Sequence, residues 1–366
     1  MKKTLKNAKG ITLVALVITI IILLILATIS IQSLTNTGLF EKAKEAKEKT
    51  KNATENQAKT LNEYEDELNK YISGTTEKAK KLADEVKVGD YVKYTPDTLN
   101  DEALATLKSN LNTYSGNSSS TVNPAIKRDD LNWRVLDVQN GQVRLISDVP
   151  TKSTIELKGY NGYNNAVKLL DDACSTLYTN SKLANKVQNL KIEDITKYMT
   201  TQPTEDTTPY SPTNKCYPEI LLKEKGQTVN GKTGTELDLS EQTEFINQTT
   251  KPQVNSWTIK KTYWMQNIDN KDNFIDSNYY ELFVNNGNDY HPAYWMSSRC
   301  VDAASDYAGF YVRHVISGYV NVFDVYYSYG TERSSDYGFR PVITLNSNVQ
   351  ITSGDGTIAE QAYVIK

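Results

Sequence analysis

GFYVRHVISGYVNVFDVYYS, residues 309–328, decides the fold class of this 366-residue chain. Val312, Val315, Val320, Val322 and Val325 fall in two short runs separated by Ser317-Gly318, which reads as a pair of strands joined by a tight turn. YWMSSRCV (Tyr294–Val301) precedes the pair and DYGFRPVITL (Asp336–Leu345) follows it. In the latter, Arg340-Pro341 runs into an alternating VITL that predicts a terminal strand. The whole stretch predicts a β-meander.

Moving outward, LNWRVLDVQNGQVRLISDVP (Leu131–Pro150) gives two alternating strands about Asn140-Gly141, the strongest short-range hairpin signal in the chain. VKVGDYVKYTP (Val86–Pro96) alternates around Gly89-Asp90 and predicts a small β-hairpin or barrel edge. Helical stretches are expected near Asn165–Tyr178 and Ile192–Met199. Residues 110–123 and 200–214, rich in Ser, Asn, Thr and Pro, read as loops. Residues 131–366 are therefore expected to form a β-rich domain with helical insertions, and residues 75–130 a linker with a small β element.

The amino-terminal portion is of another kind. ITLVALVITIIILLILATISI, Ile11–Ile31, holds 21 residues without a charge, a Pro or a Gly. A helix of that length spans roughly 31 Å, the thickness of a hydrocarbon core. Residues 1–10 form a basic leader, 11–34 a transmembrane helix, and 35–74 a helical stalk whose weak stripe of Leu39, Ala43, Ala46, Ala53, Leu61 and Leu68 ends at Gly74. Lys2, Lys3, Lys6 and Lys9 face no acid before the apolar run, so the amino terminus is expected in the cytoplasm and the rest outside. A secretory signal peptide would have a shorter apolar region and an A-x-A-like site, which Ala27-Thr28-Ile29 does not supply.

Composition narrows the function classes. A net charge of −3, with Lys interleaved among Glu and Asp, gives no basic footprint for nucleic acid. The 24 Tyr against 7 Phe and 4 Trp suit wet, polar recognition surfaces, although Tyr-rich loops are also common in secreted β-rich proteins. Cys174, Cys216 and Cys300 form neither a CxxC pair nor a zinc-type cluster, and only His291 and His314 are available as imidazoles. No nucleophile elbow, P-loop or zinc-protease motif is present, so no cofactor, metal or enzymatic activity is expected.

Two resemblances add to this reading. KNAKG followed by the apolar run resembles the prepilin-type cleavage and methylation segment of type IV pilins and pseudopilins over about residues 1–35, with Gly10 before the cut and Ile11 as the new terminus. The fifth mature residue of that family is usually Glu, and here it is Ala15. The departure removes a buried charge partner and argues against ordinary filament polymerisation. The YW-x-SS segment and the G-F-R-P-V strand resemble bacterial domains related to the formylglycine-generating-enzyme version of the C-type lectin fold, which includes variable ligand-binding proteins. That likeness covers about residues 86–366.

Taken together, the expected fold is α+β: a long amino-terminal transmembrane and stalk helix followed by a β-rich, C-type-lectin-like globular domain with helical insertions. The resemblance implies an exposed ligand face of Tyr307, Tyr311, Tyr319, Phe323, Tyr326, Tyr327 and Tyr329, with Asn321, Asp324 and Arg333 as polar contacts. Strand register decides which of these face outward and which fill the core. Cys174 and Cys300 either bridge the helical insertion to the core or remain two free buried thiols. The formylglycine-generating enzymes use paired cysteines, whereas Cys300 has no nearby partner in sequence. The leading expectation is a single-pass cell-surface protein whose head binds a glycan or protein ligand, with a prepilin peptidase as a processing partner. A minor pilin or pseudopilin component among pilus subunits is the structural alternative, and a formylglycine-type enzyme the third.

Overall fold

A computed structural model describes Thr60 and residues 80–200, 240–249, 270–284, 293–303, 308–327 and 330–366, with five two-residue strands between 209 and 267. The chain divides into two compact units, Met1–Glu77 and Lys78–Lys366. The expected membrane segment 11–34 and stalk 35–74 lie outside the described residues, Thr60 apart. The expected fold class is corrected: among the described residues no helix is long and apolar enough to cross a membrane. What the second unit contains instead is mostly short helices and many strands in mixed sheets.

In chain order its helices are α1 (Leu82–Glu85), α2 (Asp101–Tyr114), α3 (Gly159–Tyr178), α4 (Ile192–Thr196) and α5 (Ser277–Phe283). The strands are β1 (Tyr91–Lys93), β2 (Trp133–Gln139), β3 (Gln142–Ser147), β4 (Ile155–Lys158), β5 (Ala184–Asn189), the two-residue β6 (Pro209–Tyr210), β7 (Lys223–Glu224), β8 (Glu236–Leu237), β9 (Ile259–Lys260) and β10 (Gln266–Asn267), then β11 (Tyr294–Ala303), β12 (Ala308–Ile316), β13 (Tyr319–Tyr327), β14 (Ser334–Phe339), β15 (Pro341–Leu345), β16 (Ile351–Ser353) and β17 (Tyr363–Ile365). One sheet has seven strands in the order β16-β17-β1-β2-β3-β15-β5, and the other six in the order β10-β13-β12-β11-β14-β4.

Both tight turns follow their sequence signals. Asn140 and Gly141 have φ of 52° and 74°, and Ser317 and Gly318 have 49° and 75°. Paired left-handed residues match the twist of the flanking strands, which is why such dipeptides close two-residue hairpins. Val86–Pro96 does not form a hairpin. Only Tyr91–Lys93 is a strand, antiparallel to β2 and parallel to β17. From Lys78 onward the segment read as a linker belongs to the second unit, and Leu82, Val92, Leu107, Leu111 and Ile126 lie in its main core.

Neighbouring residues on the central strands enter different cores. Val135, Leu145, Ile343, Trp295 and Val312 belong to one buried cluster, whereas Leu136, Ile146, Val342, Met296 and Val315 belong to a second. Both faces of these strands are thus covered, which is why their apolar residues run nearly unbroken. Helix α3 supplies the first core with Tyr163, Ala166, Leu169, Leu170, Ala173, Leu177 and Tyr178. It starts six residues ahead of the helix expected from Asn165.

Candidate ligand-binding face

The carboxy-terminal signature is a buried scaffold. Arg340 stands between β14, in the six-stranded sheet, and β15, in the seven-stranded one. Its guanidinium is fully buried, donates to the carbonyl oxygens of Leu282, Ser147 and Asp148, and lies 5.3 Å from the Tyr294 ring centroid. The Asn189 carboxamide oxygen accepts from the Arg340 amide at 2.8 Å, and its Nδ2 donates to the Trp295 carbonyl at 3.0 Å.

The two serines of the YW-x-SS segment sit where the β11–β12 register shifts between Trp295 and Arg299. Ser297 Oγ donates to Asp171 Oδ1 at 2.7 Å, and Ser298 Oγ accepts from the Ile192 amide at 2.9 Å. Burial raises the Asp171 pKa, against the lowering effect of the Ser297 hydrogen bond. These residues position backbone and are enclosed by it.

The expected ligand residues divide by register. β12 and β13 pair Tyr311 with Asp324, Val312 with Phe323 and His314 with Asn321, with a shift between Phe310 and Tyr311. Tyr326 is fully buried, its ring 6.0 Å from Phe310 and 5.7 Å from Tyr160. Tyr311 is also buried, at 4 % exposure. Tyr319 is exposed, while Asn321, Phe323, Asp324 and Tyr327 are half-buried and Arg333 is open to solvent. Tyr307 and Tyr329 lie outside the described residues.

Four of the expected residues come together. Asp324 Oδ2 accepts from the Tyr327 hydroxyl and, at 2.6 Å, from Arg333 Nη1. The Arg333 guanidinium lies 5.6 Å from the Phe323 ring centroid. Burial and then the Asp324 carboxylate push the Tyr327 phenol up to about 12, so it remains a neutral donor. A partly accessible aromatic ring, a cation stacked on it and a carboxylate held by two donors make a pre-oriented polar and aromatic patch. Such a patch can stack on a flat apolar face and hydrogen-bond to hydroxyl or amide groups beside it.

Of the two readings of Cys174 and Cys300, a bridge or two buried thiols, the structure has the second. Burial raises the Cys174 pKa well above its usual value, which makes that thiol inert. Cys174 lies on α3 beside Asn189, its Sγ 3.9 Å from the carboxamide oxygen, and Cys300 lies on β11.

Other polar centres left no sequence signal. Arg144 is buried between Asp137, at 2.7 Å from Nε, and Asp194, at 2.6 Å from Nη1, and the Tyr198 hydroxyl also donates to Asp137. Burial would raise the Asp137 carboxyl, yet the Arg144 hydrogen bond and charge hold it below its usual range. His314 is buried with its ring 4.9 Å from Tyr337 and 5.8 Å from Trp295, and burial pushes its pKa down to about 4. A cleft of about 310 Å³ opens beside Trp133, Tyr94 and Tyr178, rimmed by Arg128, Asp129 and Asp130. No group of three or more His, Cys, Asp or Glu suited to a metal ion occurs among the described residues. His291 and Cys216 lie outside them.

No protein-family model, curated protein or solved structure matches the chain.

Proposed function

We propose that this is a membrane-attached surface protein whose outward-facing head binds an external glycan or protein ligand through the patch of Phe323, Asp324, Tyr327 and Arg333. The observation that carries the reading is the shared use of Asp324 by Tyr327 and Arg333, with the guanidinium over Phe323. It orients aromatic and charged groups at a partly open surface before any ligand arrives, which reduces the ordering cost of binding. Tyr319 and Asn321 lie on the same strand.

Attachment rests on the 21-residue apolar run and on the Lys residues before it, with no acid among them. The junction Gly10-Ile11 resembles a prepilin-type cleavage site and supports processing by a prepilin peptidase. A role as a minor pilin or pseudopilin component is the second reading. It is favoured by that junction and weakened by Ala15.

The full-length chain, purified in detergent, is screened against glycan arrays and cell-surface protein panels beside Asp324→Asn and Arg333→Ala. The Arg333 side chain is 52 % exposed, so its truncation costs little stability, whereas the Asp324 side chain is 14 % exposed and is replaced by the isosteric Asn, which still accepts at Oδ1. The expected result is saturable binding by the natural chain and its loss in both variants at an unchanged thermal midpoint. Binding that neither substitution weakens, or no binding to any member of the panels, overturns the proposal.

A further inference from the structure

Tyr94 follows β1, Trp133 opens β2 and Tyr178 closes α3, and all three line the cleft of about 310 Å³. The Trp133 ring meets both neighbours steeply, 5.3 Å from Tyr94 at 75° and 5.7 Å from Tyr178 at 71°. Hydrogen bonds fix this floor. The Tyr94 hydroxyl donates to the Tyr178 carbonyl at 2.8 Å, and the Asp129 amide donates to the Tyr178 hydroxyl at 3.1 Å. Arg128 braces the rim, its Nη1 donating to the Asp97 carbonyl at 2.7 Å and its Nε to the Leu177 carbonyl in the last turn of α3. Carbonyls at that end of a helix lack intrahelical donors and favour a cation. Asp129 is held in turn by the Ser153 amide, 2.8 Å from Oδ2.

Several groups of this frame stay unused. Trp133 is 3 % exposed, yet its indole N–H makes no hydrogen bond among the described residues. That nitrogen is not one of the sealed unpaired atoms, so it is reached from the cleft that Trp133 lines. The Tyr178 hydroxyl accepts from Asp129 but gives its own proton to no acceptor among the described residues, and burial raises its pKa, so the proton stays. Arg128 Nη2, Asp129 Oδ1 and the exposed Asp130 carboxylate complete the open set. An enclosed donor without a partner is costly, and a ligand acceptor removes that cost. A small anion would face Asp129 and Asp130, and a small cation would face Arg128, so either leaves charge unmatched. A neutral polyol uses the whole set, because each hydroxyl both donates and accepts. The volume lies at the small end of ligand pockets, roughly 300–1,000 Å³, which suits a short saccharide.

We propose that this cleft is a saccharide-binding site, in which the Trp133 indole N–H and the Tyr178 hydroxyl donate to sugar oxygens and Asp129 and Asp130 accept from sugar hydroxyls. Arg128 holds the rim against α3 and presents Nη2 to the same ligand. The site shares no residue with the patch at Arg333 and stands if that patch binds nothing.

Saturation-transfer NMR and calorimetry on the full-length chain in a non-glycosidic detergent test it, with glucose, galactose, N-acetylglucosamine and maltose as sugars and choline, acetate and alanine as charged probes. Every sample carries Arg333→Ala, so that the patch at Asp324 adds no signal. At least one sugar should bind saturably, and no charged probe should displace it. Asp130→Ala, a change at an exposed carboxylate, and Trp133→Phe, which keeps an aromatic ring and removes the N–H, should each weaken that sugar about tenfold. The proposal is overturned by the absence of saturable sugar binding, by a sugar that either variant binds as tightly as before, or by displacement of the sugar by choline, acetate or alanine. Should Trp133→Phe not fold, Asp130→Ala decides alone, and unchanged affinity there overturns the site.

Discussion

His314 shows what one residue reports about its surroundings. It sits against Trp295 and Tyr337 with its ring buried, and burial holds its pKa near 4 against an ordinary 6.5. The folded state therefore binds fewer protons than the unfolded chain between those two values. Stability contributed by the neutral ring is complete above about pH 6.5 and is lost as pH falls towards 4, on the order of 3 kcal/mol across the window. Urea unfolding of the natural chain and of His314→Phe at pH 7 and at pH 4.5 checks this. The natural chain should lose more stability than the variant between the two; equal losses contradict it. As a lone His in the sequence it gave no hint of its burial. That follows from its pairing with Asn321 and Trp295, which only the register reveals.

At the scale of elements, legibility depended on how local the determining contact is. The β2–β3 and β12–β13 hairpins were readable because Asn140-Gly141 and Ser317-Gly318 fix their own turns. β1 was half readable: its alternation is real, but its partners β2 and β17 are distant in sequence, and this turned an expected hairpin into a strand of the larger sheet. Helix α2 was missed although Asn100 caps it, accepting from the Ala103 amide at 2.9 Å, because Leu107 and Leu111 alone make a thin buried stripe. On the expected ligand face, the register shift beside Phe310 pairs that residue with Tyr326, and the latter fills the core. A bulge of that kind has no composition signature.

The β14–β15 crossing carries a prediction at this scale. Arg340 bonds three carbonyls from β3, the residue after it and α5, so it joins both sheets to a helix. Lys keeps the charge but cannot span three acceptors with a planar fork. Arg340→Lys should cost about 3 kcal/mol, read as a lower urea midpoint, because buried carbonyls lose their donors. A change under about 1 kcal/mol would show that the crossing is held by the apolar contacts of Phe339 and Val342 alone.

At the scale of the whole molecule, the chain divides into Met1–Glu77 and the two-sheet unit Lys78–Lys366, and the proposal assigns attachment to the first and the binding patch to the second. The proposed attachment rests on the sequence alone, where 21 uncharged residues have few other uses in a polypeptide. The sheet order was not legible there, because it depends on pairings such as β1 with β17 and β14 with β4 that bring far-separated residues together. The most direct measurement is protease treatment of intact cells producing the full-length chain, followed by fractionation and mass spectrometry. A head that faces outward should be digested from outside while a fragment bearing Ile11–Ile31 stays with the membrane. A head that remains intact until the cells are lysed would contradict the proposal.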